Sequence, residues 1–326
     1  MKSILKKTFV HVALVTIGTL FVACGNDNEP EEPTPSPQPV KVAEAMTGEA
    51  TNISCFWATV SGEVNLDSND KFQVWIEYCK DEKFDIGNRQ LQSIKDIDHV
   101  FSVELSNLEP GTTYYYRTFV QVMIQNYWSK YYGEIKTFTT PQFSLQESGA
   151  VDLGLSVKWA ACNLGANKPE QSGGYFEWGE TTEKETMTFQ RDEETHMFPY
   201  LGNEISGTNY DAARAQLGGA WRMPTMQELS ELVENCRSKW FTYKDVNGYL
   251  FIGTNNNYIF LPAAGEIGSN GTLSGNGESG RYWAGTLDPN SSTRLNTGSL
   301  YICKNYASAG FNGFRFDRLT IRPVTN

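Results

Sequence analysis

Histidine is scarce in this chain: there are three in 326 residues, His11, His99 and His196. So few imidazoles, so widely spaced, argue against a His-rich metal site. Basic residues are also in the minority, with 27 Lys+Arg against 38 Asp+Glu and a formal net charge of −11. That sign repels phosphate backbones and anionic bilayers, which argues against nucleic-acid binding and against membrane attachment through a basic patch. Cysteine is limited to six residues with no CxxC spacing. The apolar run from Phe9 to Ala23 is 15 residues long, short of the roughly twenty that a membrane-spanning helix needs.

That run sits in an ordered context. Lys2, Lys6 and Lys7 precede it, and the small Ala23 closes it immediately before Cys24. This is the three-part layout of a bacterial export signal, so residues 1–23 are expected to be removed. The stretch Phe21-Val22-Ala23-Cys24 resembles the lipobox of bacterial lipoproteins, with Phe21 where that family usually has Leu. The resemblance implies that Cys24 becomes the acylated first residue. Asp27, Glu29, Glu31 and Glu32 follow it, and acidic residues in this place resemble the signal that sends lipoproteins of the Bacteroides group to the outer face of the outer membrane. Removing residues 1–23 takes away three lysines and no acid, leaving 24 Lys+Arg against 38 Asp+Glu, a net charge of −14. Cys55, Cys79, Cys162, Cys236 and Cys303 remain besides Cys24. Five is odd, so at least one thiol stays free unless chains pair.

Residues 24–40 form an acidic linker in which Asn26 to Pro39 hold five of the 13 prolines. Such a segment stays extended and cannot pack a core, so it reads as a stalk about 50 Å long. Residues 41–141 then alternate as half-buried strands do. Ala58, Val60 and Gly62 share one strand face, as do Val74, Ile76 and Tyr78, and Phe101, Val103 and Leu105. Cys55 and Cys79 fall one step out of phase with these faces and are expected to point outward, unpaired. Leu108, Pro110, Gly111, Thr112 and Tyr114 match the tyrosine-corner pattern, in which the tyrosine hydroxyl bonds to backbone just upstream. This segment resembles a fibronectin type III domain, which implies an all-β sandwich. The fold alone assigns no role, and spacer is the plain expectation.

Residues 148–326 have a different texture. Thr225 followed by Glu228 is a capping box that starts a helix, with Met226, Leu229, Leu232 and Val233 on one stripe. A shorter helix over "DAARAQLGG" stops at Gly218 and Gly219. Strand-like runs cover 157–161, 249–252, 258–261, 300–304 and 314–324, separated by long Gly/Asn/Ser segments, notably "GEIGSNGTLSGNGESGR". The ordered motifs "VDLGLSVKWAACNLGA", "GGYFEWGE", "DAARAQLGGAWRMPTMQEL", "YIFLPAAGE", "RYWAGTL" and "FRFDRLTIRPV" resemble the Fibrobacter succinogenes major paralogous domain of Bacteroidetes and Fibrobacter surface proteins. That resemblance implies an α+β, C-type-lectin-like domain. It also implies Cys162–Cys236 as the disulfide candidate, because related domains often carry cysteines at these two motif positions.

Catalysis finds little support. Glu177 and Glu180 flank Trp178 and could form an acid/base pair of the glycosidase kind, but an acid-rich chain makes such pairs by chance. A structural hydrogen-bonding role is the plain expectation for this stretch, and a sugar-facing edge carrying Trp178 and Glu180 is the functional one. Asp288-Pro289-Asn290 is like the calcium loop of calcium-dependent lectins but lacks the acidic ligands after it, so a plain turn is expected and no metal. Arg222 and Arg322 read as structural hydrogen-bond donors. The resemblance to lectin-like domains implies a ligand face built from long loops, here 263–282. Alternation along "RYWAGTL" sends neighbours opposite ways, and the expectation is that Trp283 packs inside while Tyr282, with Asn270, Asn276 and Glu278, faces outward. The expected whole is a multidomain cell-surface lipoprotein, not an enzyme, with no cofactor, held to the outer membrane by lipid and binding an extracellular glycan or surface protein through its lectin-like domain. The alternative is a structural or assembly subunit of a surface complex or fimbria.

Overall fold

In a computed structural model, residues 43–66, 71–84, 89–94, 99–184 and 192–326 are described. The expected export signal of residues 1–23, Cys24 and the expected linker lie outside the described residues. Strand alternation organises the first half: β1 (Ala43–Thr51), β2 (Trp57–Leu66), β3 (Phe72–Cys79), β4 (Gln90–Ile94), β5 (Val100–Ser106), β6 (Thr113–Ile124), β7 (Tyr127–Tyr132) and β8 (Lys136–Thr139). One sheet runs β1-β2-β5 and the other β4-β3-β6-β7, with β8 continuing the edge beside β6. The two sheets face each other as a β-sandwich. Ala58 and Val60 from one sheet and Val74, Ile76, Tyr116 and Val120 from the other meet in its core, as period-two burial requires. The Tyr114 hydroxyl accepts a hydrogen bond from the Glu109 backbone N–H at 2.8 Å, closing the tyrosine corner.

The second half continues with β9 (Ala150–Val151), β10 (Lys158–Ala160), β11 (Phe176–Glu177), α1 (Ala212–Leu217), α2 (Met226–Asn235), β12 (Arg237–Tyr243), β13 (Val246–Ile252), β14 (Tyr258–Pro262), β15 (Ala264–Ile267), β16 (Leu273–Asn276), β17 (Ser279–Leu287), β18 (Asn296–Cys303), β19 (Ala307–Phe314), β20 (Arg318–Leu319) and β21 (Val324–Thr325). Among the described residues of this half the helices have only 6 and 10 residues, so strands dominate here as well. Both helix starts follow local chemistry. Asp211 caps α1, and Thr225 and Glu228 form the reciprocal capping box of α2. The expected strand over 314–324 is instead broken into β20 and β21. The "GEIGSNGTLSGNGESGR" stretch is not an irregular loop: β15 and β16 pair antiparallel as a hairpin across it.

β17 is the central strand, and it is covered on both faces. Tyr282 and Ala284 pack into a core with Trp159, Leu229, Phe251 and Leu300. Trp283 and Leu287 pack into a second core with Phe176, Trp178, Met223 and Leu319. Tyr282 is therefore fully buried, contrary to the outward placement expected from alternation. Alternation does send the two rings to opposite faces, but neither face is solvent.

The halves are joined by a further apolar cluster. Phe56 and Cys55 from the turn before β2 and Leu145 from the connecting segment pack with Leu250, Ile252 and Phe260. Phe143, also in that segment, lies 5.0 to 5.9 Å, centroid to centroid, from Phe56, Phe241, Tyr243 and Tyr258. This corrects the expectation for Cys55: it leaves the sandwich core as its phase requires, but the second half covers it. Cys79 is buried too, its Sγ donating to the Asp81 carbonyl at 2.8 Å.

Candidate functional site

The residues singled out in the sequence do not converge. Trp178 is buried, with its indole N–H on the Ala284 carbonyl at 2.9 Å and the Arg315 guanidinium 4.9 Å from its ring centroid. The Tyr282 hydroxyl donates to the Pro262 carbonyl at 2.5 Å, and burial raises its pKa. Glu180 is half-buried and turned to Lys184 at 2.5 Å, while Glu177 beside it is buried, so the two carboxylates present no open acid/base pair. Asn270, Asn276 and Glu278 are exposed, but no ring from Tyr282 reaches the surface to join them. Asn270 accepts from the Thr272 N–H at 2.9 Å, which is turn chemistry. Cys162 and Cys236 are both free thiols. Burial pushes the Cys236 thiol up to about 12 and raises Cys162, so neither is poised as a thiolate.

The structural readings of the two arginines hold. Arg222 binds both Glu228 oxygens, at 2.8 and 2.5 Å. Arg322 is buried and donates to Asn163 Oδ1 and to the carbonyls of Ala160, Ala161 and Phe260. Burial lowers its pKa to about 10, still well above neutrality. Asp288-Pro289-Asn290 is a turn in which the Asn290 N–H bonds Asp288 Oδ1 at 2.9 Å. Among the described residues no group of three or more His, Cys, Asp or Glu side chains comes together to hold a metal.

Two polar constellations arise instead from residues that sequence patterns left unmarked. The first lies beside β17. Arg281 Nε is 3.1 Å from Glu266 Oε2, its Nη1 donates to the Asn312 carbonyl at 2.8 Å, and its guanidinium carbon is 5.4 Å from the Tyr301 ring centroid. Asp317 is buried close by. Burial first, and the Glu266 charge second, push it up to about 6, with Arg281 opposing.

The second is a cleft of about 310 Å³ between the two halves, at the lower end of the ~300–1,000 Å³ range of small-ligand sites. The outward face of the first sheet supplies Trp57 and Thr59 from β2 and Glu104, which sits opposite Thr59, from β5. The second half supplies Asn235 at the end of α2, Arg237 at the start of β12, and Thr254 and Asn256 from the turn between β13 and β14. Arg237 Nη1 bonds Glu104 Oε1 at 2.8 Å, and its guanidinium carbon lies 4.5 Å from the Trp57 ring centroid. The pair leaves the cleft close to neutral. Both side chains are more than a third exposed, so the bond is weak enough to re-form around a ligand at little cost.

The turn is held from beneath. Asn255 and Asn257 each donate to the Asp152 carbonyl at 2.9 Å, and Asn256 between them sits at φ +63° and lines the cleft. Asn52, at φ +47°, approaches from the opposite wall. The Asn256 backbone N–H donates to the Gly253 carbonyl at 3.0 Å, but among the described residues no hydrogen bond engages the side-chain amides of Asn52, Asn235 or Asn256. Three unspent side-chain amides, two hydroxyls, a carboxylate–guanidinium pair and an indole with the Arg237 guanidinium over its ring thus line one small space.

No family model matches the chain, and no curated protein matches it. Several solved structures are weakly similar to about a third of it. The sensor domain of the anti-sigma factor RsgI4 of Pseudobacteroides cellulosolvens is 21% identical, with 32% of this chain aligned to the whole of that one at a TM-score of 0.26. The fibronectin type III domain of human fibronectin type III domain containing protein 3 is 17% identical over 35% of this chain and all of that one, at 0.24. A computationally redesigned β-sandwich is 22% identical over 31% of this chain and 97% of that one, at 0.24. Likenesses this slight carry no argument about function.

Proposed function

We propose that this chain is a cell-surface lipoprotein, anchored to the outer membrane through Cys24, that binds an extracellular saccharide in the cleft between a fibronectin type III-like sandwich and a C-type-lectin-like second domain. The observation that carries the reading is the cleft itself. Its neutral set of free amides and hydroxyls around an aromatic ring is the chemistry that recognises a polyhydroxylated ring, since the hydroxyls of a sugar take paired donors and acceptors while its C–H face lies on an indole. The interaction requires no metal and no cofactor. The reading moves the site from the lectin-like loops to the junction, so the sandwich becomes one wall of the site and not only a spacer.

A glycan array probed with residues 24–326, followed by calorimetric titration of the strongest hit, tests the reading. Trp57→Ala with Asn256→Ala should weaken that hit at least about tenfold, roughly 1.4 kcal/mol. Full affinity in the double variant would remove the cleft as the site. The lipid anchor has its own test: Cys24→Ala should shift the protein from the membrane fraction to the soluble one.

A further inference from the structure

Five large apolar side chains are exposed at one pole of the sandwich. Strand register fixes their place. Ala43, where the described chain begins, pairs with Leu66; Met46 and Val100 both pair with Glu63; Phe72 pairs with Val122; and Tyr127 pairs with Ile124 at the β6–β7 turn. Trp128 follows Tyr127. These positions are the ends of β2, β6 and the starts of β1, β3, β5 and β7, so they gather at the end opposite the junction with the second half. Tyr127 is 78% exposed, Val100 64%, Trp128 43%, Met46 39% and Phe72 38%. A single exposed apolar side chain needs no explanation, but five at one end of the sandwich do.

The same pole receives the 42 preceding residues, among them the lipidation candidate and the stalk. We infer that this pole is a foot that rests on the lipid surface carrying the anchor, with Tyr127 and Trp128 seated at the headgroup boundary. The inference rests on the anchored reading above. Tyr and Trp favour that boundary because each has an apolar body and a polar tip. Both signs of charge occur at this pole: Glu63 pairs with Met46 and Val100, and Lys71 directly precedes Phe72. Rings alone give weak binding, but the anchor turns the contact into an intramolecular one at an effective concentration of about millimolar. The 19 residue steps from Cys24 to Ala43 cap the distance between the pole and the lipid at about 65 Å and set no lower limit on it.

The test uses residues 24–326 with Cys24→Ser, so that no acyl group contributes, sedimented with phosphatidylcholine vesicles at millimolar lipid. The chain should co-sediment, with no loss on adding salt, and Tyr127→Ser with Trp128→Ser should lower the partition coefficient about tenfold while the far-ultraviolet circular dichroism is unchanged. Equal partition of parent and double variant, no partition of either, or rings buried instead in a dimer seen by analytical ultracentrifugation would each overturn the foot. Failure of the anchor is read separately, by fractionating cells that carry Cys24→Ala.

Discussion

Phe143→Ala should uncouple the two halves. The ring is half-buried, and it touches Phe56 of the sandwich on one side and Phe241, Tyr243 and Tyr258 of the second half on the other, all within 5.9 Å between centroids. Full burial of a phenylalanine is worth about 3–5 kcal/mol on truncation to alanine, and aromatic pairs add about 0.5–1.5 kcal/mol each. Partial exposure and the sharing of one ring among four partners bring the loss down to about 3 kcal/mol. That loss falls on the interaction between the halves, because Phe143 belongs to neither core. At about 4–8 °C per kcal/mol for a domain of about 100 residues and about 2–4 °C for one of about 180, the less stable half should melt roughly 12–24 °C earlier if it is the sandwich and roughly 6–12 °C earlier if it is the second half. Scanning calorimetry of the parent should show one coupled transition, and of the variant two. Phe143→Leu should restore much of the coupling. A parent that already melts in two independent steps, or a variant whose single transition stays within about 2 °C of the parent, would refute the idea that this cluster couples the halves.

Three further outcomes are expected. Tyr114→Phe removes the acceptor of the Glu109 N–H and should cost the sandwich about 1–3 kcal/mol by chemical denaturation, with ligand binding unchanged. Asp317 holds its proton to about pH 6 when folded but only to its ordinary 3.8 when unfolded. A raised carboxyl stabilises fully below the unfolded value and loses that contribution as pH rises through the folded one, so stability should fall between about pH 4 and 6 by at most about 3 kcal/mol. Asp317→Asn should flatten that slope in urea titrations run across the window. Arg322→Ala strips the donors from three buried carbonyls and Asn163, and should cost at least about 4 kcal/mol, read as loss of the folded second half on expression.

Features decided by neighbours in the chain were readable in the sequence. The Thr225–Glu228 box, the stop of α1 at Gly218 and the Tyr114 corner each depend on residues within a few positions. Alternation also separated Tyr282 from Trp283 correctly. What it could not say is that both faces of β17 are covered, because the covering residues, such as Trp159 and Phe176, lie more than a hundred positions upstream. The cleft was hidden for the same reason: its ion pair joins Glu104 to Arg237 across 133 positions. A signal was present in Trp57 and Thr59, which alternate outward along β2 beside Glu104 on its partner strand, but that marks a sheet face and not what stands opposite it. Asn256 carried a weaker hint, being the middle of three consecutive asparagines whose outer two are consumed by the backbone.

The pairing of β10 with β21 sets the order in which this chain can become finished. Lys158 bonds across to Thr325 and Trp159 to Val324, a separation of 167 positions for the first pair. Contacts that distant are formed late, because the chain between them must first be ordered. The sandwich, whose strands pair mostly with near neighbours, can close while the second half is still emerging. Until β21 arrives, β10 offers one open edge and the buried Trp159 has no Val324 above it. For that interval the strand is a site where a folding helper or another copy of the chain could bind first, and the yield of the finished protein depends on how short the interval is.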